Sequence, residues 1–131
     1  MIGLDTNILA RFFLQDDPRQ SPRADEIIAS LMIENPGWVG VAAILELVWV
    51  LSSKSRFDRK SIVKVLGQLL LQKEIVIEQA DTVQNAFQHF RRGNADFADC
   101  LIASSARAAG CSKTVTFDRI AARDAGMQLL A

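Results

Sequence analysis

The chain alternates short apolar segments with longer segments in which apolar residues recur at helical spacing. The first apolar segment, MIGLD, has the character of a short buried strand. In the segment that follows, apolar residues recur at Ile8, Leu9, Phe12 and Phe13. This spacing predicts a helix over Thr6–Leu14 that begins directly after the strand.

Further helices are predicted downstream from the same spacing and from residues that favour helix starts. They cover approximately residues 21–34, 42–53, 58–70, 81–92, 96–110 and 118–126. Ser21 before Pro22 supplies a hydroxyl cap followed by proline at the first helical position. Asp81 with Gln84 resembles a capping box, which predicts another helix start.

Short apolar segments between these helices predict the remaining strands. They lie near residues 38–41, 74–78, 113–117 and 127–130. Because each crossover between parallel strands needs a helix-length connection, the alternation of strands and helices predicts a parallel sheet. The expected fold is a single α/β domain over residues 1–131, with about five parallel strands flanked by helices.

Composition and charge fit one globular domain and exclude several other classes. Half of the 131 residues are hydrophobic, and 15 basic residues balance 15 acidic ones, so no overall field draws the protein to nucleic acid or to a membrane. The longest apolar run is shorter than the roughly 20 residues that span a bilayer, and MIGLDTN lacks the pattern of a signal peptide. We therefore expect a cytoplasmic protein without membrane contact. Cys100 and Cys111 form no disulfide or zinc pattern, and we expect reduced thiols.

Aspartates follow two of the predicted strands. Asp5 ends the first strand and Asp118 follows the fourth. Ligands of open parallel sheets bind beyond the carboxyl ends of the strands, so both residues are candidates for a binding site. Both also stand where a helix begins, so helix capping is an alternative explanation of each. Either motif alone leaves this choice open.

Two further acids lie inside apolar helical segments. Glu46 is the only charged residue in Val39–Leu51, and Asp99 lies one turn after Asp96 in ADFADCLIA. Capping explains Asp96 at the helix start, but it does not explain Asp99 or Glu46. Because burial of an unpartnered carboxylate costs on the order of several kcal/mol, we expect each of these two acids to have a partner or a function.

One divalent cation would account for all of these acids. Hard cations such as Mg²⁺ bind oxygen ligands and need neither His nor Cys. The only histidine, His89, lies in QNAFQHF, where a partly exposed helix position is expected rather than a ligand role. No residue pattern supplies a base for a serine or cysteine nucleophile. We therefore predict that the acids converge on a Mg²⁺ site, in which Mn²⁺ can replace Mg²⁺.

Four motifs occur in the order and spacing of one protein family. They are LDTNIL at the start, an isolated glutamate in AAILELVWVL, then ADFADCLIA, and TFDR near the end. In these motifs, nearly end to end, the chain resembles the PIN-domain nucleases, and among them the VapC-type toxins of toxin–antitoxin pairs. The resemblance implies the PIN fold, metal-assisted hydrolysis of RNA phosphodiester bonds, and a small antitoxin as partner.

The resemblance also implies roles for individual residues. The catalytic and metal-binding acids would be Asp5, Glu46, Asp99 and Asp118, with Asp96 as an accessory metal-binding acid. The supporting polar residues would be Thr6, Asn7 and Thr116. No acid of the family pattern is missing, so the resemblance implies an active enzyme.

RNA binding needs local positive charge, because the formal net charge is zero. The candidate RNA-binding residues are Arg11, Lys54, Arg56, Arg59, Lys60, Arg91, Arg92 and Arg119. For each of them, an ordinary solvated surface position is the alternative. The apolar segment Ala42–Leu51 predicts a helix that is buried on all sides or meets a second subunit. We therefore expect a homodimer with Trp49 near its interface.

Two other functions stay open from the sequence. A receiver-like signalling domain also gathers acids and Mg²⁺ at strand ends, but it needs an acceptor aspartate after a middle strand and a lysine after a late one. Here the middle acid is Glu46, inside a helix, and Lys113 precedes its strand. The second alternative is a PIN-like fold used only as a binding module, which would tolerate the loss of acids.

Overall fold

The structure is a computed structural model that describes residues 1–131. The chain divides into two compact units, Met1–Glu78 and Gln79–Ala131. In the first unit the strands are β1 (Ile2–Gly3), β2 (Gly37–Val39) and β3 (Ile75–Ile77). Its helices are α1 (Thr6–Leu14), α2 (Gln20–Ser30), α3 (Val41–Trp49) and α4 (Arg59–Leu71), and a π-helical segment (Val50–Lys54) follows α3.

The three strands of the first unit form a parallel sheet in the order β1-β2-β3. Gly37 pairs with Ile2 on one side and with Ile75 on the other. A Cβ atom at Gly37 would come within 2.8 Å of Leu4 Cδ1 and 2.9 Å of Leu31 Cδ1. The absence of a side chain at this position therefore lets the central strand lie against the core beneath it.

The core of the first unit lies between its helices. α1 packs against both α2 and α3, and α4 packs against β3 and the π-helical segment. Its largest fully buried side chains are Leu9, Ile44, Leu47, Leu51, Leu66, Leu69 and Val39. Because α1 and α3 carry several of these residues, the hydrophobic core fixes the two helices to which Asp5 and Glu46 belong.

The second unit contains helices α5 (Ala80–Arg92), α6 (Phe97–Ala108) and α7 (Arg119–Ala125) and strands β4 (Val115–Thr116) and β5 (Gln128–Leu129). The two strands are parallel, and Thr116 pairs with Leu129. α6 packs against both α5 and α7. The rings of Phe90 and Phe97 meet edge to face at 5.5 Å between centroids, so an aromatic pair joins α5 to the start of α6.

The predicted fold class is confirmed, with differences in detail. Helix α1 has the predicted bounds, and the five predicted strands are present and pair in parallel. The strands have only two or three residues each, and they form one sheet of three and one of two instead of a single ladder. No helix is long and apolar enough to cross a bilayer.

Two helices begin within one residue of their predicted starts, but the capping residues predicted for them were wrong. The capping side chain of α2 is Asp17, whose Oδ1 accepts the N–H groups of Arg19 and Gln20 at 2.9 and 2.8 Å. These hydrogen bonds lower the pKa of Asp17. The Ser21 hydroxyl instead donates to the carbonyl of Arg11 at 2.9 Å.

The second incorrect prediction is the capping box of Asp81 and Gln84. Helix α5 begins at Ala80, and Gln79 precedes it in the left-handed conformation with φ of 50°. Asp81 is therefore the second helical residue, where its negative charge still favours the helix dipole. The predicted helix over 21–34 also ends earlier, at Ser30.

Candidate functional site

Three of the candidate acids lie in the second unit. Asp96 occupies the N-cap position of α6, and Asp99 lies one turn later in the same helix. Asp118 precedes α7, directly after β4. The side chain of Asp96 makes no capping hydrogen bond, although its backbone conformation is extended, as at an ordinary N-cap. Helix capping therefore does not account for the carboxylate of Asp96.

Asp99 has an electrostatic environment that disfavours its ionised form. The side chain is half-buried, and this burial raises its pKa above the ordinary value of 3.8. The negative charges of Asp96 and Asp118 raise the pKa further. Asp99 is therefore close enough to Asp96 and Asp118 to be repelled by both, and a cation bound at Asp99 would relieve that repulsion.

Asp118 is a helix cap that keeps one carboxylate oxygen available. Its Oδ1 accepts the N–H groups of Ile120 and Ala121 at 2.8 and 3.1 Å, which leaves Oδ2 without a partner. The backbone N–H of Asp118 donates to Oγ1 of Thr116 at 2.9 Å. Capping and ligand binding are therefore compatible here, because they use different oxygens. The supporting role of Thr116 stays a prediction, with which this hydrogen bond is compatible.

The other two acids lie in the first unit. Asp5 stands at the N-cap position of α1, and its side chain makes no capping hydrogen bond. Its backbone carbonyl accepts the N–H groups of Ile8 and Leu9 instead, at 3.1 and 3.3 Å. The exposed carboxylate is therefore free of a structural role in starting the helix. Capping, the alternative explanation of Asp5, does not apply.

Glu46 lies on the one solvent-facing side of α3. Its side chain is exposed, as are those of Ala42 and Trp49, which share its helix face at spacings of four and three residues. Of the two explanations predicted for this apolar helix, burial on all sides was wrong, because only Ile44 and two other residues of the helix are buried. Contact with a second subunit stays a prediction. The sequence argument from the cost of burying Glu46 therefore does not hold, and its case rests on the family pattern.

These side chains have the chemistry that a hard divalent cation requires. None of the five acids takes part in the ion pairs Arg11–Asp16 and Arg123–Asp124. No group of three or more His, Cys, Asp and Glu side chains forms a ready metal site. Mg²⁺ usually needs only one or two carboxylates besides water and phosphate oxygens. The donors near Asp99 therefore fit Mg²⁺ or Mn²⁺.

Comparison with known proteins assigns the chain to a family. The sequence model of the PIN domain matches residues 2–126. The chain belongs to the PIN domain family. Curated proteins give no match. Among solved structures, it is similar to the crystal structure of Mycobacterium tuberculosis VapC20, a sarcin–ricin loop cleaving toxin, with 19% sequence identity and a TM-score of 0.47 over 99% of this chain and 98% of that one.

Membership of the PIN domain family confirms the resemblance seen in the four sequence motifs. It also decides against the receiver-like alternative, which belongs to a different fold family. The choice between an active nuclease and a binding module depends on the acids themselves.

The polar residues next to the acids of this PIN domain differ in their surroundings. Thr116 contacts the backbone of Asp118, as described above. Thr6 is buried at the start of α1, where only 6% of it is exposed, and Asn7 is exposed. Glu78 was not predicted to have a role. Its Oε1 accepts the N–H of Val41 at 2.8 Å, and this hydrogen bond caps α3. No local signal marks Glu78, because it lies 37 residues from the helix that it caps.

The candidate RNA-binding residues fall into two groups. Arg11 is engaged by Asp16 at 3.1 Å and by Gln20 at 2.8 Å, so it is held within the first unit. The exposed ones are Lys54, Arg56, Lys60, Arg91, Arg92 and Arg119, while Arg59 is half-buried. The ammonium of Lys54 lies 5.6 Å from the ring centroid of Trp49, a cation–π contact. Arg119 stands directly beside Asp118.

Proposed function

We propose that this PIN domain is a metal-dependent endoribonuclease and the toxin of a type II toxin–antitoxin pair, acting in the cytoplasm. The observation that carries the proposal is the group of carboxylates around Asp99. Asp96 does not cap its helix, Asp118 keeps one free oxygen, and both raise the pKa of Asp99. Helix capping alone would produce hydrogen-bonded acids with lowered pKa values, as at Asp58.

The carboxylates would hold Mg²⁺ or Mn²⁺, with Asp99 and Asp118 as ligands and Asp96 as an accessory ligand. Asp5 and Glu46 complete the family pattern of acids. When bound, the ion supplies a Lewis acid for the scissile phosphate and acidifies the attacking water. Asp118 is oriented for this role by Thr116 and by the N-terminus of α7. The exposed Arg119 would attract the phosphate backbone.

Hydrolysis by an activated water determines the products. The phosphodiester would be cut to leave a 5′-phosphate and a 3′-hydroxyl, without attack by the 2′-hydroxyl. Preference for RNA must then come from the shape and contacts of the bound strand, because the chemical step does not need the 2′-hydroxyl. The balanced formal charge of the chain makes such contacts local.

The proposal includes two protein partners. We propose a homodimer whose interface includes the exposed face of α3 around Trp49. The Trp49 residue is 57% exposed. We also propose that a small antitoxin inhibits the enzyme by laying a peptide segment over the acids, with a basic side chain in the place of the metal. A toxin–antitoxin complex that cleaves RNA at the full rate of the free toxin would contradict this mode of inhibition.

Cleavage of a structured RNA tests the proposed activity. We expect endonucleolytic cuts in the presence of Mg²⁺ or Mn²⁺, none after addition of EDTA, and 5′-phosphate ends in the products. Asp99→Asn should lose activity. Asp58→Asn is the matched control, because Asp58 is an exposed aspartate that caps α4 through Ser61 N–H at 2.8 Å. Cleavage that resists EDTA, or products with 2′,3′-cyclic phosphates, would contradict the proposal.

If the protein is only a binding module, the same experiment should give a different result. A module without catalysis would bind RNA in the presence of metal but release it intact. Asp99→Asn would then change binding alone.

A further inference from the structure

Phe117 is a large aromatic side chain that lies mostly in solvent. It lies between Thr116 and Asp118, and 80% of it is exposed. The two ring pairs of the chain, Phe12–Phe13 and Phe90–Phe97, do not include it. Val115 and Ile120 on either side of it are also exposed, by 49% and 55%, but Phe117 is the largest and most exposed of the three and immediately precedes a candidate catalytic acid.

The backbone on both sides of Phe117 is held firmly. The carbonyl of Thr116 accepts the N–H of Leu130 at 2.8 Å, and Oγ1 of Thr116 accepts the N–H of Asp118 at 2.9 Å. Asp118 is in turn anchored to the first turn of α7. The aromatic ring is therefore carried by a fixed turn, and a ligand that contacts it would not have to order the backbone first.

The neighbours of Phe117 favour a nucleic acid over a protein as the occupant. Asp118 and Arg119 follow directly, and both are exposed. The centres of protein interfaces are depleted in charged residues, whereas sites for single-stranded nucleic acid combine aromatic rings with basic residues that follow the phosphates. Aromatic rings stack on bases with little regard to sequence, since every base has a π face.

We propose that Phe117 stacks on a base of the RNA next to the phosphate bound at Asp118. The inference rests on the proposed function, because it takes Asp118 to be at the scissile phosphate. Consecutive Cα atoms are about 3.8 Å apart. We therefore expect the ring to lie beside a nucleotide that flanks the cut. Phe117 would help to choose the bond that is cut by fixing one flanking base, while Arg119 meets the backbone.

The first test measures cleavage and RNA affinity for variants of this residue. Phe117→Ala should raise KM, and the Kd for RNA in an Asp99→Asn background, by about 5- to 100-fold, the range found for loss of one base stack. The change in kcat should be smaller. Phe117→Tyr should restore binding, because it keeps the aromatic face. Leu71→Ala is the matched control, since Leu71 is also 80% exposed and lies away from the acids in sequence.

A second test identifies the contact through the RNA. Removal of single bases along a defined substrate should weaken wild-type binding most at one position that flanks the cut. Phe117→Ala should abolish that sensitivity, so that the two losses are not additive. Equal RNA affinity of Phe117→Ala and wild type, or an unchanged profile of base sensitivity, would overturn the inference. So would a loss confined to dimerisation or to antitoxin binding. Failure of wild type to cleave RNA at all would instead contradict the proposed function.

Discussion

The negative charge of Asp96 raises the pKa of Asp99, which lies one turn later in α6. Asp96 occupies the N-cap position of this helix, but its side chain makes no capping hydrogen bond. Isolated helices are stabilised by acids near the N-terminus. Two acids so close to each other, with a third nearby at Asp118, oppose that gain by mutual repulsion. If the proposed function is right, a bound cation would relieve this repulsion.

The first prediction concerns the pH dependence of stability without metal. The pKa of Asp99 is raised in the folded state, so its contribution to stability is fully present below the unfolded value near 3.8 and is lost as pH rises through the folded value. The unfolding free energy of wild type, minus that of Asp99→Asn, should therefore fall as pH rises above about 4. Denaturant titrations in EDTA at several pH values measure this difference.

Asp58 supplies the opposite sign as a control. Hydrogen bonds from Ser61 lower its pKa, so its contribution is present above 3.8 and is lost as pH falls through the folded value. The unfolding free energy of wild type, minus that of Asp58→Asn, should therefore rise with pH. A difference for Asp99→Asn that also rises with pH would show that its carboxylate is stabilised in the folded protein, contrary to the account.

The second prediction separates true caps from acids that only occupy cap positions. Asp58→Ala removes a capping hydrogen bond and should lower the melting midpoint by about 4 °C. Asp96→Ala removes no such bond and should leave the midpoint unchanged or raise it, because it relieves repulsion at Asp99. Thermal melting in EDTA measures both. Equal losses for the two variants would contradict the distinction.

The third prediction concerns Thr116 as a positioning residue. Thr116→Val removes the hydroxyl that accepts the N–H of Asp118, while the cap of α7 stays intact. Loss of such a supporting contact typically weakens metal binding or activity by about 10- to 100-fold. We expect the Mg²⁺ concentration for half-maximal cleavage to rise in Thr116→Val and to recover in Thr116→Ser. A change in maximal rate alone, with unchanged Mg²⁺ dependence, would argue against this role.

The fourth prediction concerns the homodimer. Trp49 lies on the exposed face of α3, and burial of such a face in a second subunit would gain apolar contact. Sedimentation of the protein alone at micromolar concentration should give about twice the 14.4 kDa of the chain. Trp49→Glu should shift it towards the monomer. A wild-type species of 14.4 kDa alone would count against the dimer.

Local patterns in the sequence predicted the order and type of the elements. Helix α1 was predicted with its observed bounds, since its apolar spacing and the strand before it are both local signals. The cap of α4 at Asp58 is likewise local, because donor and acceptor are three residues apart. Asp5 and Asp118 follow from their places after strands, and Asp99 from its place one turn into an apolar helix.

The parts that could not be predicted depend on residues distant in the chain. Glu78 caps α3 from 37 positions away, and Ser21 donates to Arg11 instead of capping its own helix. The exposure of Glu46 depends on which side of α3 faces the core. Because the residues of this helix are apolar on all sides, the sequence does not show which side is buried.

The central claim is that Asp99 belongs to a metal site, and thermal melting with and without Mg²⁺ tests it most directly. Binding to the native state alone stabilises by about 1.4 kcal/mol at ten times the dissociation constant, which raises the midpoint of wild type by roughly 5 °C. Asp99→Asn should have an equal or higher midpoint in EDTA and a reduced response to Mg²⁺, and Asp58→Asn should keep the full response. A wild-type midpoint that does not respond to Mg²⁺ or Mn²⁺, or an Asp99→Asn variant with the full wild-type response, would contradict the account.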